Sequence, residues 1–173
     1  MAQYTVKNEL SSLEFETSWL ESFELSDAAL ILTFREAIIA GNSNTDFHNC
    51  KPCSCNDGPD RYALPRLTLT FQNYKILSVL IEETHIINDD GTEETFIPGR
   101  VFSSDEVSQF LQQLSSHPAA WVYYLGYYQD TTMIYMAFTP ESTPETHELW
   151  LTAEENIAQW EDFGDIAFYL PKE

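Results

Sequence analysis

Basic residues are scarce in this chain of 173 residues: 8 lysines and arginines stand against 28 aspartates and glutamates, for a formal net charge of −20. Binding to duplex nucleic acid requires lysine and arginine contacts with phosphates, so we expect no nucleic-acid ligand. Anionic lipid headgroups repel an acidic chain, which argues against a membrane-surface role. Residues 107–129 carry no charge, but Pro118 and several glutamines and serines interrupt them, so no membrane span is predicted.

Cysteine and glycine are also rare, with three and six residues. The three cysteines all lie within 50–55, which is unlike the framework of a secreted disulfide protein, and the amino terminus shows no secretory signal. We therefore expect a cytoplasmic protein. The chain lacks Gly-x-Ser-x-Gly, His-Glu-x-x-His and a glycine-rich phosphate loop, so we assign no catalytic residue and favour a non-enzymatic function.

Hydrophobic residues make up 43% of the chain and aromatic residues 14%, which is enough for a folded core. The length and the lack of a linker predict a single domain over 1–173, with a long irregular loop at about 41–65. Most other segments alternate apolar and polar residues as strands do, and 66–71 is the clearest case. The sequence predicts an α+β fold, mainly antiparallel β, with a sheet or sandwich of eight or more strands and one or two short helices.

The clearest helix signal covers 104–115. Ser103 and Glu106 have the spacing of a capping box, in which each side chain bonds the backbone N–H of the other. The apolar residues that follow recur at helical spacing and predict one buried stripe, formed by Val107, Phe110, Leu111 and Leu114.

Weaker signals complete the prediction. Thr152 and Glu155 have capping-box spacing and predict a second short helix at about 153–162, with a last strand at 166–170. The Asp-Gly pair within 88–91 predicts a tight hairpin turn.

An aromatic segment near residue 125 forms the first half of a predicted hairpin. Strict alternation places Trp121, Tyr123 and Tyr127 on one face of the strand, and Tyr124 and Tyr128 on the other. One interpretation is a central strand buried on both sides, with each hydroxyl reaching the edge of the core. The other is an exposed platform for a protein partner or a sugar ring, because tyrosine and tryptophan are enriched in binding hot spots.

The cysteine-bearing loop contains a possible metal site. His48, Cys50, Cys53 and Cys55 supply the donor types that Zn²⁺ takes. The short spacing between these residues is cramped for one ion, so an ordinary loop without a cofactor is the favoured interpretation. A redox Cys-x-x-Cys pair beside Lys51 is a third interpretation.

Negative charge is concentrated towards the carboxyl terminus. Between Val101 and Pro171 there are 11 acidic residues and no lysine or arginine. A basic protein partner would explain this bias, because complementary potential speeds association, whereas the alternative is a surface that only aids solubility. The candidate contacts are Glu141, Glu145, Glu148, Glu154, Glu155, Glu161 and Asp162 with Trp121, Tyr123 and Tyr127.

The segments 19–25, 30–34 and 66–71 resemble strands of small bacterial domains found in Firmicutes, some of which are grouped with immunity proteins of polymorphic toxin systems. The resemblance covers about the first half of the chain and implies no functional residues. Together with the charge, it leads to the hypothesis of an acidic, immunity-like protein-binding domain. The alternatives are a metal-binding or redox protein that uses the cysteine loop, and a carbohydrate-binding β-sandwich that uses the aromatic strand.

Overall fold

A computed structural model of the chain describes residues 4–8, 10, 13–15, 18–41, 61–87, 91–118, 120–128, 130–138 and 145–161. Almost every element in these ranges is a strand. In chain order the elements are β1 (Tyr4–Lys7), β2 (Leu13–Phe15), β3 (Ser18–Leu25), β4 (Ala29–Gly41), β5 (Arg61–Gln72), β6 (Lys75–Ile81), β7 (Thr84–Ile87), β8 (Glu93–Ile97), β9 (Arg100–Val101), α1 (Ser104–Ser116), β10 (Ala120–Tyr128), β11 (Thr131–Phe138), β12 (Thr146–Thr152) and β13 (Glu155–Trp160).

The strands form an 11-stranded sheet and a separate two-stranded sheet of β7 and β8. The main path runs β1-β13-β5-β4-β3-β10-β11-β12-β6-β9, with β2 paired to β4 beside it. The pairings of the central strands β3, β4, β10 and β11 are antiparallel. The prediction of an α+β fold that is mainly antiparallel β is therefore confirmed.

Two adjacent strand pairs continue one another across a bend. Gln72 of β5 lies opposite Glu155 of β13, and Lys75 of β6 lies opposite Thr152 of β12, so the register is the same on both sides. The bend consists of 73–74 and 153–154, where the Asn73 amide Nδ2 donates to Glu154 Oε2 at 2.6 Å. Asn73 has a φ of 49°, which asparagine tolerates better than most residues. Such corners let strands pass from one layer of a sandwich to the other.

The core lies on the inner face of the sheet. Leu30, Leu32 and Phe34 of β4 are fully buried, and so are Leu67 and Phe71 of β5. From the other half of the sheet, the core receives Val122, Ile134, Met136, Leu149 and Leu151. The inner positions of the central strands are therefore the apolar half of an alternating pattern, as the sequence predicts.

The predicted helix at 104–115 is confirmed and extends one residue further. Its capping box is present: the Ser103 backbone N–H donates to Glu106 Oε2 at 2.8 Å, and the Ser103 hydroxyl accepts from the Glu106 N–H at 3.5 Å. Phe110 and Leu114 are buried against the sheet. The helix has 13 residues, and within the described ranges no helix is long and apolar enough to cross a membrane.

Two elements differ from the prediction. The second helix expected at 153–162 is wrong, because 155–160 is strand β13, which pairs with β5 on one side and β1 on the other. The predicted bounds of the loop at 41–65 are too wide, because Gly41 is the last residue of β4 and 61–65 belong to β5. The remainder of that loop and the strand predicted at 166–170 lie outside the described residues.

Candidate functional site

A patch of exposed aromatic side chains covers the outer side of β10, β11 and β12. We call it the aromatic face and define it by Trp121, Tyr123, Tyr124, Tyr128, Tyr135 and Trp150. Trp121 is 36% exposed, Tyr124 48% and Tyr128 52%. Because residues directly opposite on antiparallel strands point to the same side, the pairings of Tyr124 with Tyr135 and of Tyr128 with Thr131 place these side chains on one surface.

A β-bulge creates this surface. The register of β10 against β11 shifts between Val122 and Tyr124, so Tyr123 is an extra residue in its strand. Tyr123 and Tyr124 both point outwards as a result, with exposures of 38% and 48%. The predicted grouping, with Tyr123 and Tyr127 on one face and Tyr124 and Tyr128 on the other, is therefore wrong, and so is the interpretation of a strand buried on both sides.

Tyr127 is the exception among the predicted aromatic contacts. It lies opposite Thr132, which is 3% exposed, and packs against the core rather than on the aromatic face. Burial raises the pKa of the Tyr127 hydroxyl well above its usual range. Tyr127 is thus a core residue, and its neighbours Tyr124 and Tyr128 take the outer positions.

Gly126 gives two tyrosine rings room to lie on the strand. A Cβ atom at this position would be 2.8 Å from Tyr128 Cε2, 3.0 Å from Tyr124 Cε1 and 3.3 Å from Met133 Cε. The two rings therefore occupy the space above Gly126 from both sides. The result is a continuous aromatic surface along β10 in place of separate upright side chains.

Ring contacts extend the aromatic face across neighbouring strands. Trp121 meets Trp19 of β3 edge to face, with ring centroids 4.9 Å apart. Tyr128 lies over Trp150 of β12 with centroids 5.5 Å apart and planes inclined by 31°. Aromatic pairs at these distances stabilise one another beyond simple burial, so the rings support each other in their exposed positions.

Carboxylates are interspersed with the rings. The Trp150 indole Nε1–H donates to Glu148 Oε2 at 2.7 Å, and the Tyr135 hydroxyl donates to Glu82 Oε2 at 2.6 Å. Partial burial, together with the hydrogen bond to Glu82, raises the pKa of Tyr135. No lysine or arginine occurs in β10, β11 or β12. The aromatic face is thus rich in π systems and negative charge.

Within the described residues, the other predicted acidic contacts do not join Glu148 on the aromatic face. Glu145 is half-buried beside a cavity near α1, and Glu161 is exposed after the end of β13. Glu141 and Asp162 lie outside the described residues. The sequence therefore shows that the region is acidic but does not show which acidic side chains lie together in the fold.

Glu154 and Glu155 lie at the bend between β12 and β13. Glu154 accepts from Asn73, and Glu155 Oε1 is 3.3 Å from Lys7 Nζ. These carboxylates contact neighbouring strands of the same chain. We assign them to the bend rather than to the aromatic face.

The proposed metal and redox residues His48, Cys50, Cys53 and Cys55 lie outside the described residues. Among the residues that the structure does describe, no group of three or more histidine, cysteine, aspartate or glutamate side chains is placed to hold a metal ion. The zinc and redox interpretations therefore stay predictions.

A cavity of about 330 Å³ lies beside α1. Its lining brings together Arg100, Glu106, Glu145 and His147, which sequence reasoning did not connect because they come from separate elements. Only the spacing of Ser103 and Glu106 gave any local signal there.

No family model, curated protein or solved structure matches this chain. Of the surface features of the described residues, the aromatic face combines the largest exposed rings with carboxylates and a strand composition free of basic residues. Exposed aromatic rings beside carboxylates are chemically suited to binding a cation or a polar partner.

Proposed function

We propose that this protein is a non-enzymatic binding domain that recognises a basic protein through the aromatic face. The observation that carries the proposal is the outward grouping of Trp121, Tyr124 and Tyr128 beside Glu148 and Glu82. Monomeric proteins commonly expose single aromatic residues on their surfaces, whereas a contiguous group of exposed aromatic residues is typical of an interaction site. The resemblance of the first half of the chain to domains grouped with immunity proteins agrees with such a function.

The chemistry of the aromatic face favours arginine and lysine on the partner. A cation placed over a tyrosine or tryptophan ring is attracted by the negative face of the ring, by about 0.5–1 kcal/mol at exposed sites and more after desolvation. Glu148 and Glu82 can accept further hydrogen bonds from a guanidinium group, since each carboxylate oxygen has more than one acceptor position. A partner that presents several arginines would use both kinds of group at once.

Net charge supports the same partner class. A formal charge of −20 repels acidic proteins and attracts basic ones over long distances. This attraction raises the rate of encounter, while the aromatic contacts determine how long the complex survives. The two contributions are separable by experiment because they act on different rate constants.

The test is binding of a fluorescent arginine-rich peptide, measured by anisotropy in moderate salt. The double variant Tyr124→Ala/Tyr128→Ala removes two exposed rings without changing net charge, and we expect it to weaken binding about tenfold. The matched control is Phe96→Ala on β8, because Phe96 is 47% exposed but lies on the separate two-stranded sheet. We expect this control to bind like the wild type.

Equal loss of affinity in the double variant and in Phe96→Ala would contradict the proposal, because it would mean that any exposed ring contributes. Unchanged affinity in the double variant would also contradict it, since binding would then depend on net charge alone. Circular dichroism and thermal unfolding of each variant ensure that only folded protein is compared.

The exposure of the same rings also favours a second candidate function, carbohydrate binding. Tyrosine and tryptophan rings offer flat apolar surfaces on which a sugar ring can stack, and Glu148 and Glu82 can accept hydrogen bonds from hydroxyl groups. Salt discriminates between the candidates: binding of a neutral oligosaccharide would be insensitive to ionic strength, whereas binding of an arginine-rich peptide weakens as salt rises. Affinity for neutral oligosaccharides without affinity for the peptide would replace the first proposal with the second.

A further inference from the structure

The cavity beside α1 lies apart from the aromatic face, on the inner side of the sheet. Ile81 and His147 line it from β6 and β12. These two residues lie directly opposite each other, and their exposures are only 5% and 6%. The next pair, Leu80 and Glu148, points to the other side of the sheet. A ligand in this cavity would therefore not contact the aromatic face.

The floor of the cavity is made of rings and an aliphatic side chain. Phe110 and His147 stack with centroids 5.1 Å apart and planes inclined by 30°. Phe102 meets both rings edge to face, at 5.8 Å from Phe110 and 5.9 Å from His147. The Phe102 and Phe110 rings and Ile81 give the cavity an apolar base that suits a short hydrocarbon stem.

The positive charge in the cavity wall is already compensated. Arg100 Nη1 lies 2.6 Å from Glu106 Oε1, and the guanidinium carbon is 4.7 Å from the centre of the Phe102 ring. Glu106 is in turn held by the Ser103 backbone N–H at 2.8 Å. An anionic ligand would have to compete with Glu106 for Arg100, inside a protein of strongly negative charge.

Glu145 supplies the remaining charge. Its carboxylate lines the cavity, is half-buried, and has no hydrogen-bond or ion-pair partner within the described part of the chain. Gln109 and Gln113 of α1 lie in the same wall, and their amide oxygens can accept hydrogen bonds. The uncompensated groups are thus one carboxylate and two neutral amides.

We propose that this cavity binds an organic cation: a guanidinium or ammonium group on a short apolar stem, as in an arginine or lysine side chain. The stem packs on Phe102, Phe110 and Ile81. The cationic group donates to the Glu145 carboxylate and to the amide oxygen of Gln113. The site is independent of the proposed function of the aromatic face, so either can fail without the other.

The probe is n-butylguanidinium chloride, and n-butylurea is its uncharged analogue of nearly the same shape. Each is titrated into the ¹⁵N-labelled full chain near neutral pH, and backbone amide shifts are followed. We expect n-butylguanidinium to bind in the millimolar range and to move resonances of Ile81, Gln113 and Glu145. We expect n-butylurea to move none of them, because it carries no charge for Glu145.

Three variants complete the test. Glu145→Gln should weaken n-butylguanidinium about fivefold, the size of a partly exposed ion pair. The control Glu154→Gln makes the same change in net charge at the opposite end of β12 and should bind like the wild type. Gln113→Glu places a third carboxylate in the wall, beside Glu106 and Glu145, and should tighten binding by a similar factor, which a damaged fold would not do.

The proposal is overturned if n-butylurea binds as well as n-butylguanidinium, because charge would then play no part. It is also overturned if Glu145→Gln and Glu154→Gln weaken binding equally, since the effect would then come from net charge and not from this cavity. Shifts confined to β10 and β11 would locate the cation on the aromatic face instead and would equally contradict the cavity.

Discussion

Gly126 is the residue on which the shape of the aromatic face depends most. The Cβ of Gly126→Ala would overlap the ring edges of Tyr128 and Tyr124, which would have to rotate away from the strand. We expect affinity for the arginine-rich peptide to fall about fivefold, because the rings no longer form one surface. The unfolding free energy should change by less than about 1 kcal/mol, because the displaced rings are exposed and can move into solvent.

Fluorescence anisotropy and chemical denaturation measure these two quantities on the same variant. Peptide affinity equal to the wild type would show that the positions of the Tyr124 and Tyr128 rings above Gly126 do not matter. A large loss of stability would show that the rings are part of the core, which their exposures of 48% and 52% contradict.

Single residues of this site were predictable from the sequence only in part. The concentration of tyrosine and tryptophan near residue 125 is visible directly and indicates a special strand. The sequence does not show which side of the sheet each ring faces, because one extra residue at Tyr123 reverses the alternation that follows. For this reason Tyr127, which alternation placed with Trp121, belongs to the core, and Tyr124 takes its place on the aromatic face.

At the scale of elements, the capping box of α1 makes a measurable contribution. Ser103→Ala removes the hydroxyl that accepts from the Glu106 N–H, and we expect a loss of about 1 kcal/mol in unfolding free energy. Ser108→Ala is the matched control, because Ser108 lies on the exposed side of the same helix and alanine is the better helix former. Chemical denaturation measures the unfolding free energy of both variants, and equal destabilisation would contradict the capping role.

The same capping box makes stability depend on pH. The hydrogen bond from the Ser103 backbone N–H, followed by that from Arg100, lowers the pKa of Glu106 from 4.5 to about 2. The folded state therefore favours the carboxylate, and this stabilisation is present above a pH of about 4.5 and is lost as pH falls towards about 2. Glu106→Gln should cost stability near pH 7, and the difference from the wild type should shrink as pH falls below about 4.5.

Denaturant titrations of wild type and Glu106→Gln at several pH values give this difference directly. A difference that stays constant from neutral to acidic pH would mean that the charge of Glu106 contributes nothing. The expected sign is definite because the pKa of Glu106 is lowered, not raised, in the folded state.

Elements differ in how far local sequence determines them. Helix α1 was predictable because its capping box and its apolar stripe are both local patterns. Strand β13 was not, since Thr152 and Glu155 have helical capping spacing while 155–160 are held between β5 and β1. Pairing on both edges satisfies the backbone of β13, and this long-range effect outweighs the local preference.

For the whole molecule, the uneven charge predicts how binding responds to salt. Raising NaCl from about 50 to about 500 mM shortens the range of electrostatic attraction several-fold. We expect the association rate constant for the arginine-rich peptide to fall at least about tenfold over this range, with a smaller change in the dissociation rate constant. Stopped-flow fluorescence measures both.

The variant Tyr124→Ala/Tyr128→Ala should show the opposite pattern at fixed salt, with faster dissociation and a nearly unchanged association rate constant. A double variant that alters association alone would mean that the rings guide encounter and do not hold the complex. Tyr124 and Tyr128 would then not be contacts in the bound complex.

The class of the fold was predictable at the molecular scale because alternating segments accumulate over the chain. The order of the strands was not, because β5 lies beside β13 and β3 beside β10, far apart in sequence. The cavity beside α1 depends on this order, since it needs β6, β9, β12 and α1 together. The charge and the aromatic residues are visible in the sequence, whereas the cavity is formed only when these four elements meet.

The most direct test of binding through the aromatic face is a titration of the arginine-rich peptide followed through the indole N–H resonances of the four tryptophans. Trp19, Trp121 and Trp150 belong to or contact the aromatic face, whereas Trp160 is 2% exposed in the core. We expect the first three resonances to shift with one common binding curve while that of Trp160 stays in place. Unmoved resonances of Trp121 and Trp150 at saturating peptide would contradict binding through the aromatic face.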